Sequence, residues 1–143
     1  MLGIVGESAA GKTTLSRGVA RLLGGDGVTP ICLDAYHRYD RAERARRGIT
    51  AGDPAANNLE QMARDLALLR AGGTITKPIY DHRQGILREP EVVAATGLVI
   101  AYGMLTLTPP TLTDLFDLTV YLDPAPSLLQ QWRLTRDVTE RGY

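Results

Sequence analysis

Leu2-Gly3-Ile4-Val5 opens the chain as a short apolar run closed by Gly6, after which Leu15, Val19, Leu22 and Leu23 recur at helical spacing before Gly24-Gly25. A short apolar run suits a buried strand and recurrence every three or four residues suits an amphipathic helix, so the pattern predicts strand, loop, helix. Thr29-Pro30-Ile31-Cys32-Leu33 reads as a second buried strand with Asp34 at its carboxyl end. Arg38 to Arg47 is dense in charge, which predicts an exposed helix or an ordered loop. Asp53-Pro54 then precedes an amphipathic helix whose stripe is Leu59, Met62, Leu66 and Leu69, and Gly72-Gly73 ends it. Thr74 to Tyr80 is β-branched and extended in character. Leu98 to Tyr102 and Leu118 to Leu122 are the third and fourth core strands, with a helical stretch from Pro110 to Phe116 between them. Pro126 to Arg136 closes the pattern as a helix with Leu128, Leu129 and Trp132 on its apolar side, and Trp132, Met62 and Tyr121 are assigned to the core.

Strands alternating with helices predict an α/β fold, a parallel sheet with helices on both faces, whose ligands bind at the carboxyl ends of the strands. Gly6, Asp34, Gly103 and Asp123 would share that rim. The length of 143 residues and 44% apolar content match one core, so residues 1–143 are read as a single domain. Sixteen basic residues balance sixteen acidic ones, leaving no net field to draw the chain onto nucleic acid or an anionic membrane. There is no basic leader and no run of about 18 apolar residues, which points to a soluble cytoplasmic protein. The lone Cys32 excludes an internal disulfide.

The candidate chemistry begins between the first strand and the first helix, at Gly6-Glu7-Ser8-Ala9-Ala10-Gly11-Lys12-Thr13. A glycine-rich turn there aims successive backbone N–H groups at phosphate oxygens, and the helix N-terminus adds partial positive charge. Gly6, Ser8, Ala9, Ala10, Gly11, Lys12, Thr13 and Thr14 are therefore the expected ATP-binding residues, with Lys12 on the β- and γ-phosphates and the Thr13 hydroxyl on Mg²⁺. Of the sixteen basic residues only Lys12 and Lys77 are lysines, and at Lys12 a compact point charge is what the phosphates require. A dinucleotide fold with Asp34 on a ribose is the rival, and the Gly-Lys-Thr ending argues against it. Asp34 is the first carboxylate to emerge beside the loop on the rim, where a base or metal ligand is needed.

Cys32-Leu33-Asp34-Ala35-Tyr36-His37-Arg38-Tyr39-Asp40-Arg41 resembles the acceptor-site signature of the phosphoribulokinase and uridine kinase family. Gly48-Ile49-Thr50-Ala51-Gly52-Asp53-Pro54-Ala55-Ala56-Asn57-Asn58 and Lys77-Pro78-Ile79-Tyr80-Asp81-His82 are similar to segments of its phosphoribulokinase branch, and Arg133 to Gly142 resembles the lid helix. The resemblance implies an ATP- and Mg²⁺-dependent kinase acting on small molecules. It makes Asp34 the general base and a metal ligand beside Thr13, and Lys12 and Arg136 the cations on the transferred phosphoryl group. His37, Arg41, Lys77, Tyr80, Asp137 and Arg141 would form the acceptor site. Such positioning by charge is what phosphoryl transfer requires. A homodimer is compatible with this reading.

Two departures stand against the family pattern. Tyr102 occupies the place of the family's glutamate after the third core strand, and Leu105 that of its histidine; a phenol is a poor Mg²⁺ ligand. Family members also continue past the lid, so the C-terminal part of the family is expected to be missing here. Ribulose 5-phosphate is the first expectation for the acceptor, with a uridine-type nucleoside as the alternative and a nucleotide-binding paralogue with impaired turnover as the other class. Cys32 resembles one half of a redox pair, but Ala10 takes the place of the other cysteine, which leaves no internal dithiol switch.

Overall fold

A computed structural model of the chain describes residues 1–141, the last of them by its backbone alone. β1 (Leu2–Gly6), α1 (Lys12–Leu22) and β2 (Val28–Cys32) lead into a 3₁₀ turn at Leu33–Ala35, and α2 (Arg41–Arg47) and α3 (Leu59–Arg70) follow. β3 (Thr74–Asp81), β4 (Ile86–Ala94) and β5 (Leu98–Gly103) come next, then α4 (Pro110–Thr113), β6 (Leu118–Leu122) and α5 (Pro126–Arg136), which runs into a π-helical turn at Asp137–Arg141. Four strands form a parallel sheet in the order β2-β5-β1-β6. Val5 pairs with Gly103, Cys32 with Tyr102 and Gly6 with Leu122, so the strands end level and the segments after β1, β2 and β5 meet on one rim.

Both faces of the sheet are covered by helices, and the period of two along each strand decides what meets what. On β5, Val99 and Ala101 join the cluster of Met62, Leu66 and Leu69 from α3, while Ile100 joins Ile4 and Val28 against Leu15 and Val19 of α1. Complete burial of side chains such as Leu66, Ile31 and Ile100 stabilises by about 1.5–3 kcal/mol each before the entropy cost of ordering them. Tyr102 follows the same alternation and stands on the α1 face, which brings it beside Thr13.

One strand joins the expected elements, and three expectations are corrected. Ile86–Ala94 is a strand, β4, paired antiparallel with β3 around a bulge between Lys77 and Ile79. Arg88, Glu89, Pro90 and Glu91 hide it in the sequence, because an arm exposed on both faces shows no apolar alternation. The stretch from Pro110 to Phe116 is helical only to Thr113. Trp132 and Tyr121 are 41% and 63% exposed rather than core, whereas Met62 is buried as expected. β6 is an edge strand on which Leu118 and Tyr121 are exposed, and α5 buries no residue. No described helix is long and apolar enough to cross a membrane.

Candidate functional site

The loop after β1 is shaped by close contacts that a side chain would break. A Cβ at Gly6 would lie 2.8 Å from the Leu122 carbonyl oxygen, and Gly11 takes the left-handed conformation at φ 93° just before α1. Ala9 does the same at φ 73° without glycine's freedom, which places local strain at the apex of the loop. Lys12 is the first residue of α1 and is buried, which an ammonium tolerates only with acceptors around it. Its Nζ donates to Gly6 O at 2.9 Å and Glu7 O at 2.8 Å and stands 3.9 Å from Asp34 Oδ2. Thr13 and Thr14 are exposed in the first turn of α1, at the positive end of its dipole.

Asp34 sits in the 3₁₀ turn that β2 feeds, and its Oδ1 accepts the Met104 N–H at 2.7 Å. Beyond it lies a cavity of about 70 Å³ lined by Asp34, His37, Arg41, Arg44, Tyr80 and His82, among others. The rings of His37 and Tyr80 meet edge to face at 4.5 Å, and Tyr80 and His82 at 5.0 Å. Arg41 donates to the His82 carbonyl, and its own N–H donates to Gly85 O at 2.8 Å. Arg44 is buried; it donates to Tyr80 Oη at 2.7 Å and Tyr39 O at 2.6 Å, with its guanidinium 5.0 Å from the Tyr80 ring centre. Asp40 caps α2 by accepting the Glu43 N–H at 2.7 Å, which sets where Arg41 and Arg44 project.

Arg44 and His82 were absent from the sequence-based site, although each had a signal. Arg44 is three residues after Arg41 on one helix, hence on the same face, and His82 follows Tyr80 by two along an extended segment. Lys77, expected at this site, is buried on the hairpin, where it donates to Glu91 Oε1 at 2.8 Å and does not line this cavity.

On the other side of the loop a cavity of about 600 Å³ opens between Glu7 and Ser8, the segment Thr50–Gly52, and Arg133 and Arg136 of α5. Arg136 donates to Ser8 Oγ at 3.1 Å, which brings it to the phosphate loop, and to Asp137 Oδ1, which lines the same cavity beside it. Arg133, also unexpected, donates to Glu7 Oε2 at 2.8 Å. Ser8, Ala51 and Met104 line both cavities, which therefore adjoin there. Leu105, at the place of the family's histidine, faces the larger one. The side chain of Arg141 lies outside the described residues.

Among the described residues no group of three or more His, Cys, Asp or Glu could hold a metal. Thr13 and Asp34 supply one hydroxyl and one carboxylate, which fits a Mg²⁺ that arrives with a nucleotide and keeps phosphate and water as its other ligands. The half-buried Tyr102 phenol engages Thr13, and burial pushes it up to about 12, so it stays neutral and adds no anionic oxygen. Burial, with Asp34 nearby, also pushes the Cys32 thiol up to about 11, which leaves it protonated and unreactive at neutral pH.

The model of the Phosphoribulokinase / Uridine kinase family matches residues 1–143. A phosphoribulokinase of Synechocystis is 39% identical over 143 residues, covering all of this chain and 43% of that protein. A uridine kinase of Shewanella amazonensis is 33% identical over 149 residues, covering 99% of this chain and 70% of the relative. The solved phosphoribulokinase of Rhodobacter spheroides superposes with a TM-score of 0.74 at 20% identity, over all of this chain and 57% of that one. The chain thus spans about two fifths of the length of the Synechocystis phosphoribulokinase and of the chloroplast phosphoribulokinase of Mesembryanthemum crystallinum that it matches. With the parallel sheet, the phosphate loop and the Asp34 rim in place, the chain belongs to the phosphoribulokinase and uridine kinase family.

Proposed function

We propose that this chain transfers the terminal phosphoryl group of ATP to a hydroxyl of a sugar phosphate, ribulose 5-phosphate before other acceptors, in the cytoplasm. The observation that carries the reading is the position of Asp34, with Lys12 3.9 Å away on one side and the cationic cavity of His37, Arg41 and Arg44 on the other. A base between a phosphate cradle and a cation-lined pocket suits an acceptor that is itself anionic. The cavity of about 70 Å³ adjoins the larger one, so an acceptor's anionic end group can sit here while the rest of it extends toward the junction. The acceptor's reactive hydroxyl would then lie toward Asp34, near the junction at Ser8, Ala51 and Met104. Asp34 would take the hydroxyl proton, while Lys12 and Arg136 would hold the transferred group in line and offset its charge. Bound Mg²⁺, held by Thr13 and Asp34 with the nucleotide, would neutralise charge on the phosphates. ATP consumption measured with ribulose 5-phosphate, with uridine and with no acceptor tests this. Turnover with uridine alone would overturn the sugar-phosphate assignment.

Tyr102 supports a second reading, a nucleotide-binding paralogue with slow turnover, because a neutral phenol stands against Thr13. Tyr102→Glu should then raise turnover and tighten apparent Mg²⁺ affinity. Wild-type turnover at an ordinary kinase rate, of order 1 to 100 per second, would discard that reading.

A further inference from the structure

The segment Gly48–Asn58 carries a family-like pattern, and its final buried residue does more than fill space. Asn57 is 2% exposed. A buried carboxamide must find partners for its two N–H donors. Those of Asn57 go to Ala51 O at 2.9 Å and Asp53 O at 2.8 Å, which pins the loop that walls both cavities. Its backbone faces the other way. Asn57 forms an antiparallel bridge with His37, and its carbonyl accepts from Arg38 Nε at 2.9 Å. The flanking bonds, Arg38 N–H to Ala56 O at 2.9 Å and Asn58 N–H to Tyr36 O at 2.8 Å, extend the bridge on both sides.

We propose that Asn57 is a positioning residue that fixes the His37 segment of the acceptor pocket to the Thr50–Gly52 wall, so that the acceptor and the transferred group meet in one geometry. The proposal rests on the acceptor site proposed above. Its anchor is rigid, because Tyr36 is fully buried and donates to Asp65 Oδ2 at 2.8 Å from α3. The wall, by contrast, is a loop whose own closing bond, Asp53 N–H to Thr50 O, is 3.2 Å long. Removing the two amide donors frees Ala51 while leaving the phosphate loop and Lys12 untouched.

Asn57→Asp keeps the shape and turns the two donors into acceptors that repel the Ala51 and Asp53 carbonyls. It should raise the acceptor KM by about tenfold or more, the scale of a displaced positioning group, with the ATP dissociation constant held within about threefold. Ile100→Ala serves as the stability control, since it opens the core on the α1 face, away from Tyr36, α3 and the wall. It should lose at least as much thermal stability and leave the acceptor KM unchanged. Equal KM shifts in the two variants, or none in Asn57→Asp, would overturn the assignment. Hydrogen exchange separates this failure from failure of the acceptor reading. In Asn57→Asp the amides of Arg38 and Asn58 and those of residues 51–53 should lose protection by about tenfold or more. Unchanged protection there overturns the clamp whatever the acceptor, whereas a wild type that binds no sugar phosphate in calorimetry overturns only the acceptor.

Discussion

The two edges of the sheet are built differently. β2 carries Pro30 in mid-strand, at an exposed position where a missing N–H blunts further pairing, and Thr29 Oγ1 accepts the Thr96 N–H at 2.9 Å, so a following segment crosses beside it. β6 has no such guard. Leu118 and Tyr121 are 64% and 63% exposed, and α5 beyond them buries no side chain. The site inherits the difference. Asp34, His37 and the clamp at Asn57 hang from the packed edge, over Tyr36, Met62 and Leu66. Arg133 and Arg136 ride on α5 and reach the phosphate loop through Glu7 and Ser8. The Arg133–Glu7 pair is largely exposed, and pairs of that kind contribute at most about 1 kcal/mol. One half of the site is held by packing and the other by solvated polar contacts.

The comparison breaks most readily by cutting into the packed half. Met62→Ala, opening space beneath α3, should cost about 2–5 kcal/mol in denaturant unfolding. Trp132→Ala on α5 should stay within about 0.5 kcal/mol, as for an exposed side chain. Comparable losses would show that α5 is packed in solution. Asp34→Asn should lower kcat by at least about a hundredfold with nucleotide binding retained; full turnover in that variant would move the base elsewhere.

Smaller effects sharpen the picture. Ala9→Gly relieves a left-handed alanine worth roughly 1–2 kcal/mol and gives back about 0.4–1 in unfolded-chain entropy, for a net gain of about 0.5 kcal/mol. A loss of stability would mean that the loop adopts another conformation in solution. The pH dependence divides along the same line. Burial raises the Asp65 carboxyl above its ordinary 3.8, against the Tyr36 hydroxyl that donates to it. A raised carboxyl costs stability above its folded value, and the cost disappears as pH falls below the unfolded one. Asp117 is opposite in sign. Arg70 and the Met1 ammonium hold it well below the carboxylate range, so its contribution is complete above 3.8 and is lost as pH falls through the folded value. Asp65→Asn, which keeps an acceptor for Tyr36, should therefore be more stable than wild type at about pH 7, and the margin should vanish below about pH 4. A margin independent of pH would assign the effect to packing.

The phosphate loop, the strand–helix alternation and the Asp34 to Arg41 cluster were legible in the sequence because their information is local. Glycines mark where backbone must come close, an apolar period marks strand or helix, and a carboxylate at a strand end marks the rim. β4 was not legible, since a strand exposed on both faces carries no period. Arg44 and His82 have neighbours in sequence that point to them, but their common pocket exists only once α2 meets the β3–β4 hairpin. Lys77 shows the reverse: a residue type suited to the site is drawn to Glu91 across the hairpin. Trp132 and Tyr121 follow an apolar pattern whose burial depends on what covers β6, a fact about neighbours in space that hydrophobicity along a chain does not contain. The chemistry was written in contiguous residues, and the tertiary structure decided which side chains share a pocket, because only packing brings distant segments within bonding distance.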